Sequence, residues 1–476
     1  MTLTVYNTLT RKKSAFKTIE ESKVRMYCCG ITVYDYCHLG HARTCLVWDV
    51  VRRYLEWSGY EVNYIQNFTD IDDKILNRAR QEGTSMEAVS EKYIAAYFED
   101  MERLGVGKAN AYPRATHTLD GIKRLVYELE HKNYAYSADG DVYYSVQKFP
   151  EYGKLSGRKL EDMQAGASGR VEAEETKKQY PFDFALWKAA KEGEPAWESP
   201  WGNGRPGWHI ECSAMVRERL GETIDLHVGG SDLTFPHHEN EIAQSEAVTG
   251  KPLANYWLHN GMIIVEGKKM SKSLGNFITI RELLDRYDPM AVRLFILQTQ
   301  YRKPVDFTEE ALATATNSWE TLKEGLLFGN LFGLSLSWTN VNNLDEETIE
   351  KFKIAVNDDF NFSAGLAIIF ELAKLVRKER NILVHAGNIE IDSNLLESKW
   401  RTLVHLAAIV GFEVQLEEEN QTDGLSDAEI DALVQQRIDA RRNKNYAEGD
   451  RLRDELQAQG ITLIDKPGGV TIWNRG

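Results

Sequence analysis

With 476 residues, 42% of them hydrophobic and 27% charged, the chain is too long for one core and too evenly mixed for a disordered or fibrous protein; about three domains are expected. No apolar run approaches the ~18 residues needed to cross a membrane, and the N-terminus lacks an apolar signal core, so a cytoplasmic protein without membrane contact is expected. A net charge of −15 at pH 7 excludes attraction of the whole molecule to nucleic acid, so any RNA must meet local basic surface. Five cysteines (Cys28, Cys29, Cys37, Cys45 and Cys212) are an odd, clustered set in a long chain, which argues for thiols or metal ligands over a disulfide framework.

The first predicted element is a buried strand in the apolar run from Val24 to Val33. His38-Leu39-Gly40-His41 follows, and then Leu46, Val47, Val50, Tyr54 and Leu55 recur at helical spacing, which reads as strand, turn and helix. A helix N-terminus offers free N–H groups and a positive dipole to a phosphate, and two imidazoles there add directed donors. Alternation of strand and helix fills about 1–125 and 205–310 and predicts the two halves of a doubly wound parallel sheet, an α/β fold. The segment between them is rich in charge and glycine and ends in turn-forming residues, Glu192-Gly193-Glu194-Pro195.

In the second half, the strand Ile224–Val228 is followed by Gly229-Gly230-Ser231-Asp232 and by Phe235-Pro236-His237-His238-Glu239-Asn240-Glu241. Pro236 predicts a helix start, which places His237 and Glu241, four apart, on one face where both can reach one metal. Further on, Lys269-Met270-Ser271-Lys272-Ser273 lies between Gly267 and Gly275. Two lysines three apart with flanking hydroxyls can wrap a phosphate.

Residues 311–412 read as helical, with Leu366, Ile369, Phe370, Ala373 and Val376 along one side of a helix. The acidic stretch 417–424 predicts a linker. Ser426 and Glu429 then form a capping box for a helix carrying Arg437, Arg441 and Arg442. A second helix runs to Gly460, and Ile461–Ile464, the turn 467–469 and Val470–Trp473 predict a hairpin. Candidate RNA-facing groups are Arg11-Lys12-Lys13, Arg302-Lys303, the group Arg377, Lys378 and Arg380, and the group Arg437, Arg441, Arg442 and Lys444, with Trp473 placed to stack on a base.

The His38–His41 turn and the Lys269–Ser273 loop, in that order, resemble the two ATP-binding signatures of class I aminoacyl-tRNA synthetases, with Leu39 where the signature has isoleucine. The stretches from Cys29 to Asp35, Asn67 to Lys74, Gly207 to Cys212 and Gly229 to Glu241 narrow the resemblance to the cysteinyl-tRNA synthetase family, over essentially the whole chain. The resemblance implies a Rossmann-like catalytic domain over 1–310 with an insertion at about 126–204, a helical bundle over 311–412 and a small α+β anticodon-binding domain over 425–476. It implies activation of L-cysteine with ATP and magnesium to cysteinyl-adenylate, and transfer to the 3′ end of tRNA(Cys); a monomer is expected.

By the same resemblance His38, His41, Lys269 and Lys272 are catalytic and, with Gly40 and Ser271, bind ATP; Gly30, Thr69, Trp208 and Asp232 line the amino-acid pocket. Cys29, Cys212, His237 and Glu241 are implied to hold one zinc ion per chain. Neighbouring strand residues point to opposite faces, so only one of Cys28 and Cys29 can face a metal. The family pattern puts the ligand directly before Gly30, which selects Cys29. The family's Thr-Pro after Asp-Asp-Phe-Asn is replaced by Phe362-Ser363, so that helix start is expected to differ in detail. A ligase joining cysteinyl-adenylate to a small amine would share the ATP and zinc residues but needs no tRNA-reading tail.

Overall fold

A computed structural model describes residues 2–162, 177–270, 276–339, 343–414, 425, 427–466 and 470–475. Ser271, Lys272 and the rest of 271–275, the side chain of Lys269, the linker 417–424, Ser426 and the turn 467–469 lie outside the described residues. The chain divides into two units, residues 1–376 with 394–413 and residues 377–393 with 414–476.

The first unit is built on a four-stranded sheet. Strand β1 (Lys23–Thr32) leads into helix α1 (Leu39–Trp57) and strand β2 (Glu61–Thr69). Helix α2 (Trp208–Arg219), strand β3 (Ile224–Gly230), helix α3 (Glu239–Thr249) and strand β4 (Ala254–Asn260) form the second half. All neighbours pair in parallel in the order β4-β3-β1-β2. The strands are buried along most of their length, as a parallel sheet covered on both faces requires. Since β1 continues outward to β2 and β3 outward to β4, the order reverses between β1 and β3. Ligands of doubly wound folds bind beyond the strand C-termini at that point.

The segment separating the halves forms its own antiparallel sheet, Ala135–Ala138, Asp141–Tyr144, Phe184–Ala189 and Gly204–Pro206, paired in chain order. Its strands are short and carry polar residues such as Asp141 and Lys188, so neither a period of two nor a long apolar run announces them. Tyr144, Leu186 and Trp187 from this sheet share one apolar core with Ile242 and Ala243 of α3 and Ile210 of α2.

The helical region consists of Glu309–Phe332, Glu346–Val356, Phe362–Ala386 and Ser393–Ile409. Leu366, Ile369, Ala373 and Val376 are buried, as the spacing predicts. The helix at Phe362 lacks Thr-Pro and is capped instead by Asn361, whose Oδ1 accepts the Ala364 N–H at 3.2 Å and the Ser363 hydroxyl at 2.8 Å. Arg302 is taken up by the fold: it is paired with Asp359 at 2.7 Å and stacked 4.3 Å from the Tyr6 ring centroid.

In the second unit, helices Asp427–Arg442 and Tyr446–Ala458 and the hairpin Ile461–Lys466/Val470–Arg475 appear as predicted. Ile430, Val434, Leu456, Ile461 and Leu463 form its core. Arg437 is 1% exposed and donates to Thr471, and the Trp473 indole N–H donates to Asp431 at 2.7 Å. Arg437 therefore serves the packing of this small unit, in contrast to the expectation that it faces RNA, while Trp473 is only partly buried against the core.

Candidate active site and metal centre

Strand β1 carries one residue more than its partner where it nears the switch point: Cys28 stands opposite Gln66 and Ile31 opposite Phe68. Gly30 makes this bulge possible, because a Cβ there would lie 1.7 Å from the Asn67 carbonyl oxygen. Its N–H donates to Asn67 Oδ1 at 2.9 Å, which fixes the kink. The bulge turns Cys29 toward α2 and α3, while Cys28 is buried beside Tyr64 and Cys45.

Cys29 Sγ lies 3.7 Å from Cys212 Sγ and 3.2 Å from Glu241 Oε1, and His237 Nε2 is 3.1 Å from the same oxygen. All four residues are buried, and their ligand atoms fall within 4.8 Å of one another. Ligands of one tetrahedral cation with bonds of about 2.0–2.3 Å stand roughly 3–4 Å apart, so these donors fit a common ion. The α3 start differs from expectation. Pro236 follows a cis peptide bond in an irregular turn over Thr234–His238, and regular helix begins at Glu239. Only Phe235 leaves helical geometry, so His237 and Glu241 still meet.

Electrostatics divides the four residues into proton holders and anions. Burial pushes the Cys29 thiol well up, and its hydrogen bond to Cys212 brings that thiol down to about 6. Burial alone would lower His237, but hydrogen bonds to Cys212 and Glu241 outweigh it and raise the imidazole to about 9. Burial works against the Glu241 carboxylate, yet His227 and His237 hold it well below the usual range.

Sequence reasoning missed the shell around this group. His227 Nε2 lies 2.9 Å from Glu241 Oε2 and its ring stacks 4.3 Å from Trp257. His209 Nδ1 is 3.0 Å from His237 Nδ1, so His237 and Glu241 each have a partner that orients them. His227, His238, Cys29 and Glu241 form a second set within 4.8 Å, but it shares two members with the first and has one sulfur rather than two. The available signal was a histidine inside the buried strand β3 and a doubled histidine at 237–238.

The His38–His41 turn caps α1. His38 Nδ1 accepts the Gly40 N–H at 3.0 Å, His41 Nδ1 accepts the His38 N–H at 3.2 Å, and the two rings stack at 3.7 Å. With both Nδ1 atoms accepting, a neutral ring carries its proton on Nε2, at the positive end of the α1 dipole. One cleft is lined by Cys29, Gly30, His38, Gly40, His41 and Asp232, among others. The predicted metal group and the predicted phosphate turn thus open on one space through Cys29. Of the other two pocket candidates, Thr69 donates its hydroxyl to buried Glu211 at 2.8 Å, and the Trp208 ring sits 4.2 Å from that of His237. The lysine loop enters at Lys268–Lys269, which pairs with Ile264–Val265.

Family comparison places a class I (C) tRNA synthetase catalytic domain at residues 15–317, a DALR domain at 351–415 and a cysteinyl-tRNA ligase anticodon binding domain at 423–472. The chain is 71% identical to the cysteine–tRNA ligase of Rippkaea orientalis over 483 aligned residues and 70% identical to that of Gloeothece citriformis over 486, each covering the whole of both chains. Among solved structures, a putative arginyl-tRNA synthetase from Campylobacter jejuni matches with a TM-score of 0.56 at 13% identity, over 84% of this chain and 94% of that one. Methionyl-tRNA synthetase of Mycobacterium tuberculosis matches at 0.57 and 14% identity, over 82% and 90%. These two likenesses concern the fold.

Proposed function

The chain belongs to the cysteinyl-tRNA synthetase family and charges tRNA with cysteine, and from that premise we propose that Cys29, Cys212, His237 and Glu241 hold the zinc ion that selects the substrate. The convergence of four buried N, O and S donors carries this reading. Serine differs from cysteine by one atom, and an apolar pocket would separate such near-isosteres by only about 1–3 kcal/mol. When bound, zinc supplies a soft Lewis acid that favours an ionised sulfur over a hydroxyl. The protein's own part is to present two thiolates, to anchor Glu241 through His227 and to orient His237 through His209. Five free thiols suit a reducing compartment, and we place the enzyme in the cytoplasm.

In the reaction the cysteine carboxylate attacks the ATP α-phosphate, and a hydroxyl of the terminal tRNA adenosine then takes the aminoacyl group from the adenylate. The Nε2–H groups of His38 and His41, with the α1 N-terminus, are placed to stabilise charge on the phosphate as it becomes pentacoordinate. Gly30 and Asp232, on the same cleft, are the proposed contacts to the amino acid, with Thr69 and Trp208 supporting them. We assign Lys269, Ser271 and Lys272 to the β- and γ-phosphates, with magnesium accompanying ATP. Purified zinc-replete protein is expected to exchange pyrophosphate into ATP with cysteine and far less with serine. Equal exchange with the two amino acids would contradict the selectivity assignment.

The proton inventory gives a separate expectation. At pH 7 the metal-free group holds protons on Cys29, raised by burial, and on His237, raised to about 9, while Cys212 at about 6 and Glu241 are anionic. A metal must displace both protons, so titrating zinc into metal-free protein in weak buffer is expected to release about two protons per ion at pH 7. Above pH 9 His237 has already lost its proton, and the release drops toward one. A dye-monitored release of zero at pH 7 would contradict the ligand assignment.

A further inference from the structure

The backbone of His38 rests on a segment beyond the lysine loop. Leu39 N–H donates to the Ile278 carbonyl at 3.1 Å, Ile280 N–H donates to the Cys37 carbonyl at 2.9 Å, and His38 faces Thr279 across the resulting bridge. The Phe277 ring meets the His38 ring edge-on at 5.1 Å. Beside the Thr279–Glu282 capping box and buried Ile280, Arg281 ties 277–280 to the helix Met86–Arg103. Its Nη2 donates to Glu99 Oε2 at 2.6 Å and to the Ala96 carbonyl at 3.3 Å, and its guanidinium lies 4.6 Å from the centroid of Tyr36, two residues before His38.

Arg281 Nε also stands 2.9 Å from Asp100 Oδ1, close enough for an ion pair though not aligned as a hydrogen bond. Asp100 is fully buried, and neither oxygen has a hydrogen-bond donor in line among the described residues. Burial pushes this carboxyl up to about 6, against the pull of Arg281. A buried ion pair is often no better for stability than apolar residues of the same volume. An under-bonded carboxylate is therefore a poor way to stabilise helix Met86–Arg103, and a direct way to fix one guanidinium.

We propose that Arg281, held by buried Asp100, is a positioning residue for adenylate formation: it fixes the segment 277–280 that carries the backbone and ring of His38. The inference rests on the proposed role of His38 in that step. Arg281 acts at a distance, since a small displacement of a reacting group costs rate without loss of folding.

The test is single-turnover adenylate formation, scaled to titrated active sites, in Arg281→Met and Asp100→Asn beside His38→Asn. Both positioning variants are expected to slow the step about 10- to 100-fold. Zinc content, cysteine affinity and transfer from preformed adenylate to tRNA stay as in the parent. A merely structural role would lower the number of active sites and leave the rate per site untouched. In the His38→Asn background, Arg281→Met is expected to add little, because it acts through that residue. Unchanged rates in both positioning variants, or fully additive losses, would overturn the inference while leaving His38 in place. An unchanged rate in His38→Asn alone would instead remove its premise.

Discussion

Cys212→Ser is expected to purify as a folded protein without stoichiometric zinc and to activate cysteine at least about 100-fold more slowly, since even outer-sphere changes at such sites cost 10- to 100-fold. Cys212 comes from the first turns of α2, 2% exposed, and its sulfur stands 3.7 Å from that of Cys29. Replacing it leaves Cys29, His237 and Glu241, a set with one sulfur and less affinity for a soft cation. A hydroxyl in its place ionises far less readily than a thiol already lowered to about 6. The helix is otherwise undisturbed, because serine is smaller and α2 is anchored through Ile210, Ala214 and Met215 in the core. Cys28→Ala is the paired control: that thiol lies beside Tyr64 and Cys45, so zinc content should be unchanged. Zinc retained at one per chain by Cys212→Ser, measured by elemental analysis, would exclude Cys212 as a ligand.

Gly30→Ala is expected to be the most damaging conservative change in the site. Its Cβ would enter the Asn67 backbone at 1.7 Å, and backbone cannot rotate aside as the end of a side chain can. The bulge must open or the two strands must part, at a cost of about 1–3 kcal/mol or more in stability. Either response moves Cys29 and releases Asn67 Oδ1 from the Gly30 N–H, so cysteine activation is expected to fall with the metal content. Gly40→Ala makes a useful contrast. There the added carbon would meet the His38 ring at 2.8 Å, and an imidazole can turn away. That variant should keep its zinc and stability while losing adenylate formation. Equal melting temperatures and zinc contents for Gly30→Ala and the parent protein would show that the bulge does not set the metal site.

Local patterns in the sequence announced much of this arrangement. The i, i+4 spacing of His237 and Glu241 survived an irregular turn because the turn bends at Phe235, before the first ligand. Strand alternation and the family pattern separated Cys29 from Cys28, although the physical agent is the bulge at Gly30 rather than simple alternation. The doubly wound sheet followed from strand–helix alternation, since each buried strand writes an apolar run. What stayed hidden depends on partners that only the fold brings together. His227 meets Glu241 across two elements, and the pairing of Asp100 with Arg281 spans 181 positions with nothing local to mark it. Arg437 looked like an RNA contact because a sequence shows charge but not burial.

The central claim is that the four-residue cluster holds zinc and reads the substrate's sulfur. X-ray absorption at the zinc edge tests it most directly, because the number of sulfur neighbours at about 2.3 Å is counted without reference to activity. The account predicts zinc with two sulfur neighbours in the free protein, rising by one when cysteine is added and unchanged by serine. A sulfur count indifferent to cysteine, or a zinc-replete preparation with no sulfur neighbours at all, would contradict it.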